Sequence, residues 1–135
     1  MCRSGAREVQ KEVLAEIESD KLRVFVVWTP RLPADSRNKA VAATKLVEDK
    51  RASHFWDRGG HFGSQYGKLL KLPGKRTFAW DVYFVFDAGA KWNKAPPMPT
   101  EWMHQLGGGE DKRRLDGDKL RQTVKALLGD VKGAH

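Results

Sequence analysis

The sequence predicts an α/β domain, and three observations carry that expectation. Residues 22–28, Leu22-Arg23-Val24-Phe25-Val26-Val27-Trp28, form an almost unbroken β-branched and aromatic run closed by Thr29-Pro30. The run is too short for a typical helix and too apolar to leave either face in water, so it reads as a central strand covered on both sides. Segments with helical periodicity precede and follow it, giving the order helix, buried strand, helix. A second run over residues 78–86 sets Trp80, Val82, Phe84 and Phe86 on one face and Asp81, Tyr83 and Val85 on the other. Open α/β sheets bind ligands at the carboxyl ends of their strands, which places a site around Trp28 to Arg31.

Size and composition narrow the class. A chain of 135 residues with 40% hydrophobic side chains suits one domain with one core. No apolar run approaches the length that spans a bilayer, so no membrane partner is expected. Arg3, Glu8, Lys11 and Glu16 interrupt the stretch where a secretory leader would need its apolar core. A lone cysteine, Cys2, excludes an internal disulfide framework and fits a reducing, cytoplasmic compartment. The net charge of +8 would draw polyanions in general. The lysines are scattered among acids rather than gathered in a block, which weakens that signal.

In chain order, Ser4 is a plausible N-cap, and Ala6, Val9, Val13, Leu14 and Ile17 form one stripe of a helix over residues 5–18. After the strand, Pro30 and Pro33 stiffen a loop, and Asp35 or Ser36 caps a second helix over residues 37–48 with Ala40, Ala43 and Val47 inward. Residues 53–57 read as a short strand stopped by Arg58-Gly59-Gly60, and Phe62, Tyr66, Leu69 and Leu70 mark a third helix over residues 61–72. The strand at 78–86 is expected to turn at Asp87-Ala88-Gly89-Ala90 into a short partner near Lys91-Trp92. A proline-rich extended loop and a strand-or-coil segment at 101–106 follow. Asp116 or Asp118 then caps a last helix through Leu120, Val124, Leu127 and Leu128, ending near Gly129.

Several residue sets bear on chemistry. Cys2 stands just ahead of the first helix, where free amide groups, the helix dipole and Arg3 would favour a thiolate. The alternative for Cys2 is an inert thiol on a loose terminus. His54, His61, His104 and His135 show no spacing known for zinc, so neither a metal nor another cofactor is expected. Asp57 and Asp81 each follow a tryptophan, and strand-end capping is the commoner role for such residues than paired acid–base work. Trp28, Trp56, Trp80, Trp92 and Trp102, with Phe55 and Tyr83, would offer stacking surfaces to single-stranded nucleic acid. Their alternation within strands points more strongly to core. Neither glycine cluster has the lysine and spacing of a phosphate loop.

Cys2-Arg3-Ser4-Gly5-Ala6, then Val24 to Trp28 with Thr29-Pro30-Arg31-Leu32-Pro33-Ala34-Asp35-Ser36, resembles a branch of small bacterial thioredoxin-like proteins. His54-Phe55-Trp56-Asp57, Trp80-Asp81-Val82-Tyr83 and Ala90-Lys91-Trp92 look like the same branch, and the likeness spans residues 2 to about 97. The resemblance implies a mixed sheet with helices on both faces, residues 22–28 and 78–86 lying side by side and antiparallel within it. It also implies a Cys-x-x-Cys pair whose second member is Cys2. The first cysteine would lie three residues before Cys2, ahead of Met1, together with the first strand of the fold. The expectation is therefore an N-terminally truncated thioredoxin-like domain with a thiol–disulfide role, incomplete as a dithiol oxidoreductase. Cys2 would be its catalytic thiol, and Trp28, Thr29, Pro30 and Pro73 would line its substrate side; Pro73 is the nearest candidate for the family's cis-proline, though Gly74 to Thr77 separate it from the strand, a departure from the family pattern. Its partners would be a thiol-containing protein or a small thiol, with self-association through a sheet edge left open. The competing class is a non-enzymatic basic module that contacts nucleic acid or an acidic protein.

Overall fold

The computed structural model describes residues 3–107 and 112–129. Backbone proximity sorts the chain into two compact units, residues 1–60 with 117–135, and residues 61–116. The architecture is mixed α/β, with four α-helices and two two-stranded sheets among the described residues.

The first unit opens with α1, Ser4–Val9, which runs on into a wider π-helical turn at Gln10–Leu14. Arg3 rather than Ser4 is the N-cap residue, so the expected side-chain cap is replaced by a helix that starts one residue earlier. The helical stripe is as expected: Val13, Leu14 and Ile17 are all buried. β1, Val24–Trp28, pairs in parallel with β2, Ala52–Trp56, and the crossover between them carries α2, Arg37–Ala43, with a further 3-10 turn. Parallel neighbours need such a crossover, and α2 supplies it. The Ser36 hydroxyl caps α2 by accepting the Lys39 N–H at 3.2 Å, and Ala40, Ala43 and Val47 are buried. α4, Gly117–Leu128, packs on the π-helical turn and buries Leu120 and Val124. Gly129 stops it in the left-handed region at φ 83°.

The first helix ends against a cation from the start of β2. Arg51, with only 8% of its side chain exposed, forks onto Asp49 (Nε to Oδ1 2.9 Å, Nη2 to Oδ2 2.8 Å). The same guanidinium donates to the carbonyls of Leu14 (2.8 Å), Ile17 and Ser19 (3.2 Å). Those carbonyls lie at and beyond the end of the helix, where no further helical N–H is available to them.

The second unit is built around Tyr66, only 1% exposed, on α3, His61–Leu69. Phe84 lies 4.5 Å from its ring and Phe62 4.9 Å, and its hydroxyl donates to the Pro97 carbonyl at 2.8 Å. That bond fastens the proline-rich loop to the core, and burial pushes the Tyr66 phenol up from its ordinary range. β3, Val82–Val85, pairs antiparallel with β4, Glu101–His104.

Four expectations are corrected. Residues 22–28 and 78–86 do not lie in one sheet: β1 pairs with β2 and β3 with β4. Each strand takes the next strand in the chain, the connection with the lowest cost in loop entropy. Helices do not cover both faces of the β1–β2 sheet, since Phe25 is 66% and Phe55 51% exposed. The second strand begins only at Val82, because Asp81 takes a positive φ of 53° and residues 77–79 are drawn against α3 instead. There Ala79 N–H donates to the Gly63 carbonyl at 2.8 Å, and any Cβ on Gly67 would collide with the backbone of Thr77 and Phe78. Finally, the partner of β3 is β4 rather than a strand near Trp92, whose ring instead lies 5.9 Å from both Phe62 and Tyr66.

Arg51→Ala should destabilise the chain by about 3 kcal/mol in urea unfolding, because buried carbonyls and the Asp49 carboxylate lose their partner together. Arg51→Lys should recover only part of that, since an ammonium cannot fork. The Arg51 guanidinium holds the Asp49 carboxyl down from 3.8 to about 2. Between those values the unfolded chain takes up a proton that the folded chain refuses. The stabilisation is therefore complete above the ordinary carboxylate range and drains away as pH falls toward 2. Acid unfolding of Arg51→Ala should show a shallower loss of stability over that window.

Candidate functional site

The carboxyl end of β1 gathers three of the expected site residues. Trp28 is 5% exposed and packs with Ala40 and Ala43 of α2, and Ala6 of α1 lies against the same cluster. Its carbonyl accepts the Asp57 N–H at 2.8 Å, which carries the ladder one residue past β2. The Trp28 indole Nε1 donates to His54 Nδ1 at 3.0 Å, and His54 Nε2 lies 3.0 Å from the Val47 carbonyl. An Nδ1 that accepts is unprotonated, so these partners assign His54 as the neutral tautomer with its proton on Nε2, given to Val47. The two rings are also nearly parallel, at 8° and 6.2 Å. One face of β2 thus fixes the last side chain of β1 in a single orientation.

Beyond Trp28, the Thr29 hydroxyl oxygen is buried and has no hydrogen-bond partner among the described residues; Gln10 Oε1 on the first helix is the other such atom. Pro30 is half-buried. The loop that follows closes on Asp35, whose Oδ2 accepts the N–H groups of Arg31 and Leu32, each at 2.8 Å. Those two amides, Arg31 first, hold the Asp35 carboxyl down to about 2. Asp35 therefore shapes the loop, and the cap on α2 falls to Ser36.

The other expected residues are placed differently. Cys2 lies outside the described residues. Pro73 belongs to the second unit, where it opens a 3-10 turn, Pro73–Lys75, and its carbonyl accepts Arg76 Nη1 at 2.7 Å. No described peptide bond is cis, which corrects the cis-proline expected at Pro73. Gly74 and Lys75 directly behind it take positive φ, a tight turn rather than the entry to a strand. Asp57 and Asp81 fall in different units. Among the described residues, no three His, Cys, Asp or Glu side chains gather to hold a metal ion.

Fewer of these aromatic residues are core than their alternation suggests: Trp56, Trp80 and Tyr83 are half-buried, and Trp92 and Phe55 are exposed. Trp28 and Trp102 are core, and Arg113 already occupies the Trp102 face at 4.4 Å while its guanidinium pairs with Glu101 at 2.6 Å. A nucleic-acid stacking surface loses both tryptophans. What sequence reasoning passed over is His54 as the partner of Trp28. The signal was present in face parity: in the observed register His54 stands opposite Val26, on the face that Trp28 shares.

No family model matches this chain, and no curated protein or solved structure does either.

His54→Leu should leave the buried Trp28 N–H unpaired and cost about 1–3 kcal/mol in urea unfolding. His54→Asn, whose side-chain oxygen can stand where Nδ1 does, should recover part of the loss and keep the indole N–H slow to exchange.

Proposed function

We propose that this chain is a thioredoxin-like thiol–disulfide protein whose chemistry is carried by Cys2. The observation that carries the reading is the position of Ala6. It lies in the first turn of α1, four residues after Cys2 in the sequence, and packs against the Trp28, Ala40 and Ala43 cluster. The helix that Cys2 precedes therefore begins against the Trp28 cluster. The chain order α1, β1, α2, β2, α3, β3, β4 and α4, with β1 and β2 parallel and β3 and β4 antiparallel, supports a thioredoxin-like reading.

The chemistry is exchange. The Cys2 thiolate attacks one sulfur of a partner's disulfide, the sulfur–sulfur bond breaks, and the other sulfur leaves as a thiolate. The product is a mixed disulfide on Cys2. Its release needs a second thiol, supplied by a small thiol or a thiol-containing protein, because the chain has a single cysteine. Arg3 and the amide groups at the start of α1 favour the attacking thiolate. Thr29 and Pro30, placed by the fixed Trp28, would flank the incoming disulfide.

The test is the rate of alkylation of Cys2 against pH, for the native chain and for the same chain in denaturant. The expected half-point for the native chain lies about one unit below the free-thiol value, and the shift disappears on unfolding. Identical curves would mark Cys2 as an ordinary thiol and sink the redox reading.

A further inference from the structure

The Trp28 indole is packed against Ala40 and Ala43, with Ala6, Val26, Leu46 and Trp56 around the same cluster. None of those side chains carries an acceptor, and the N–H is met by His54 Nδ1 at 3.0 Å. On the far side of the imidazole, Nε2 donates to the Val47 carbonyl at 3.0 Å. Together the two bonds require a neutral ring. Protonation would put hydrogen on both nitrogens, so the indole N–H and an Nδ1–H would face each other across the same 3.0 Å. Turning the ring over gives no relief, because an imidazolium has no accepting nitrogen on either side. The bond to Val47 survives a proton, and the bond to Trp28 does not.

The charged groups on the elements packed here are engaged or directed elsewhere. Arg23, just ahead of β1, donates to the carbonyls of Asp20 and Leu22. In the crossover, Arg37, Lys39, Lys45 and Glu48 are exposed. On α1, Arg7 is exposed and the Glu8 carboxylate lies against Gly117 of α4. Asp49 and Arg51, at the start of β2, pair with each other, and Asp57 has the strand parity of the opposite face. Among the described residues, no ionised side chain lies within ion-pair distance of His54.

We propose that His54 is a proton-operated lock on Trp28: neutral, it fixes the indole at the end of β1; protonated, it releases the indole from its place under α2. Residues 29–36 join Trp28 directly to α2, and the contact of Trp28 with Ala40 and Ala43 closes that loop across its two ends. An indole without its acceptor is a buried unpaired donor, and it gains by turning toward water. Turning out withdraws it from Ala40 and Ala43 of α2 and from the cluster that Ala6 of α1 joins. One proton on β2 thus reaches α1, β1 and α2 together. Histidine suits the task because its ordinary titration, near about pH 6.5, falls in the physiological range. The lock goes beyond the thiol reading and stands without Cys2.

The experiment is nuclear magnetic resonance of the full chain in reductant, from about pH 8 to about pH 5. The His54 ring nitrogens and the Trp28 indole N–H are followed on the same samples. At the upper end Nδ1 should be unprotonated, Nε2 protonated, and the indole N–H slow to exchange. As His54 takes its proton, the protection factor of the Trp28 N–H should fall by about tenfold, with the midpoint of the imidazole titration. The Val24 amide, which donates to the Arg51 carbonyl at 3.0 Å, should stay protected throughout. His54→Asn accepts from the indole without titrating in this range, so its Trp28 protection should not change with pH. If that variant fails to fold, coincidence of the two wild-type midpoints decides alone. A Trp28 N–H that keeps its protection while His54 protonates overturns the proposal. So does a His54 that stays neutral to the lower end, or a His54→Asn chain that loses protection as wild type does. Loss of Val24 protection in step with Trp28 would mark unfolding of the unit rather than release of one side chain, and equally excludes the lock.

Discussion

The fork of Arg51 onto Asp49 and the carbonyls of Leu14, Ile17 and Ser19 is the constraint on which the first unit depends. A helix end leaves carbonyls that must find donors, and here they find them on a residue that immediately precedes β2. One side chain therefore sets where the first helix stops and which strand it is tied to. The placement of charge follows the helix dipole, with a cation at the carboxyl end. Desolvating a guanidinium is costly, and its five donors are matched to acceptors from both the backbone and Asp49. With that end fixed, Ala6 at the opposite end of the helix is brought against Trp28 and α2. The candidate site is thus positioned from its far side, by a residue that takes no part in it.

How much of this was legible depended on the range of the interactions. The Val24–Trp28 strand, the helix at His61, and the buried stripe of Ala40, Ala43 and Val47 follow from local periodicity, and the structure has them. Periodicity is silent about what lies on the other side of a strand. Residues 22–28 were apolar enough to suggest two covered faces, yet Phe25 and Phe55 stay in solvent. Residues 78–80 had the alternation of a strand as well. A contact not visible in that alternation decided otherwise, because Gly63 and Gly67 let the chain lie directly on α3. The bare face of a glycine is a sequence signal only when the segment that will use it is known. Arg51 was equally hidden, in a polar stretch that reads as a turn until its guanidinium is seen to reach back 37 residues to Leu14.

Sheet pairing shows the same division. A crossover through α2 brings β1 and β2 into register with no long loop, and the segment after β3 returns as β4 once the proline-rich loop is pinned by Tyr66. Both are neighbour pairings, and both form two-stranded sheets. Such sheets have little stability alone and hold only where a face is packed. The β3–β4 sheet meets this through Val82 and Phe84 against the Tyr66 cluster. The β1–β2 sheet meets it on one side only, through Val26, Trp28 and Trp56 with Ala40 and Ala43.

That asymmetry gives β1 two separable roles. Its even-numbered residues, Val24, Val26 and Trp28, supply the backbone bonds to β2, and Val26 and Trp28 supply the packing under α2. The same set ends at the fixed indole beside Thr29 and Pro30. Its odd-numbered residues, Phe25 and Val27, stand opposite Ser53 and Phe55 on the other face and take no part in the packing under α2. The ring contact of Phe25 within the unit is with Phe55, 6.2 Å away and itself exposed, so this face of the sheet is held by a cross-strand pair rather than by a helix. Alternation in a single strand thus separates the residues packed under α2 from those on the face that solvent reaches.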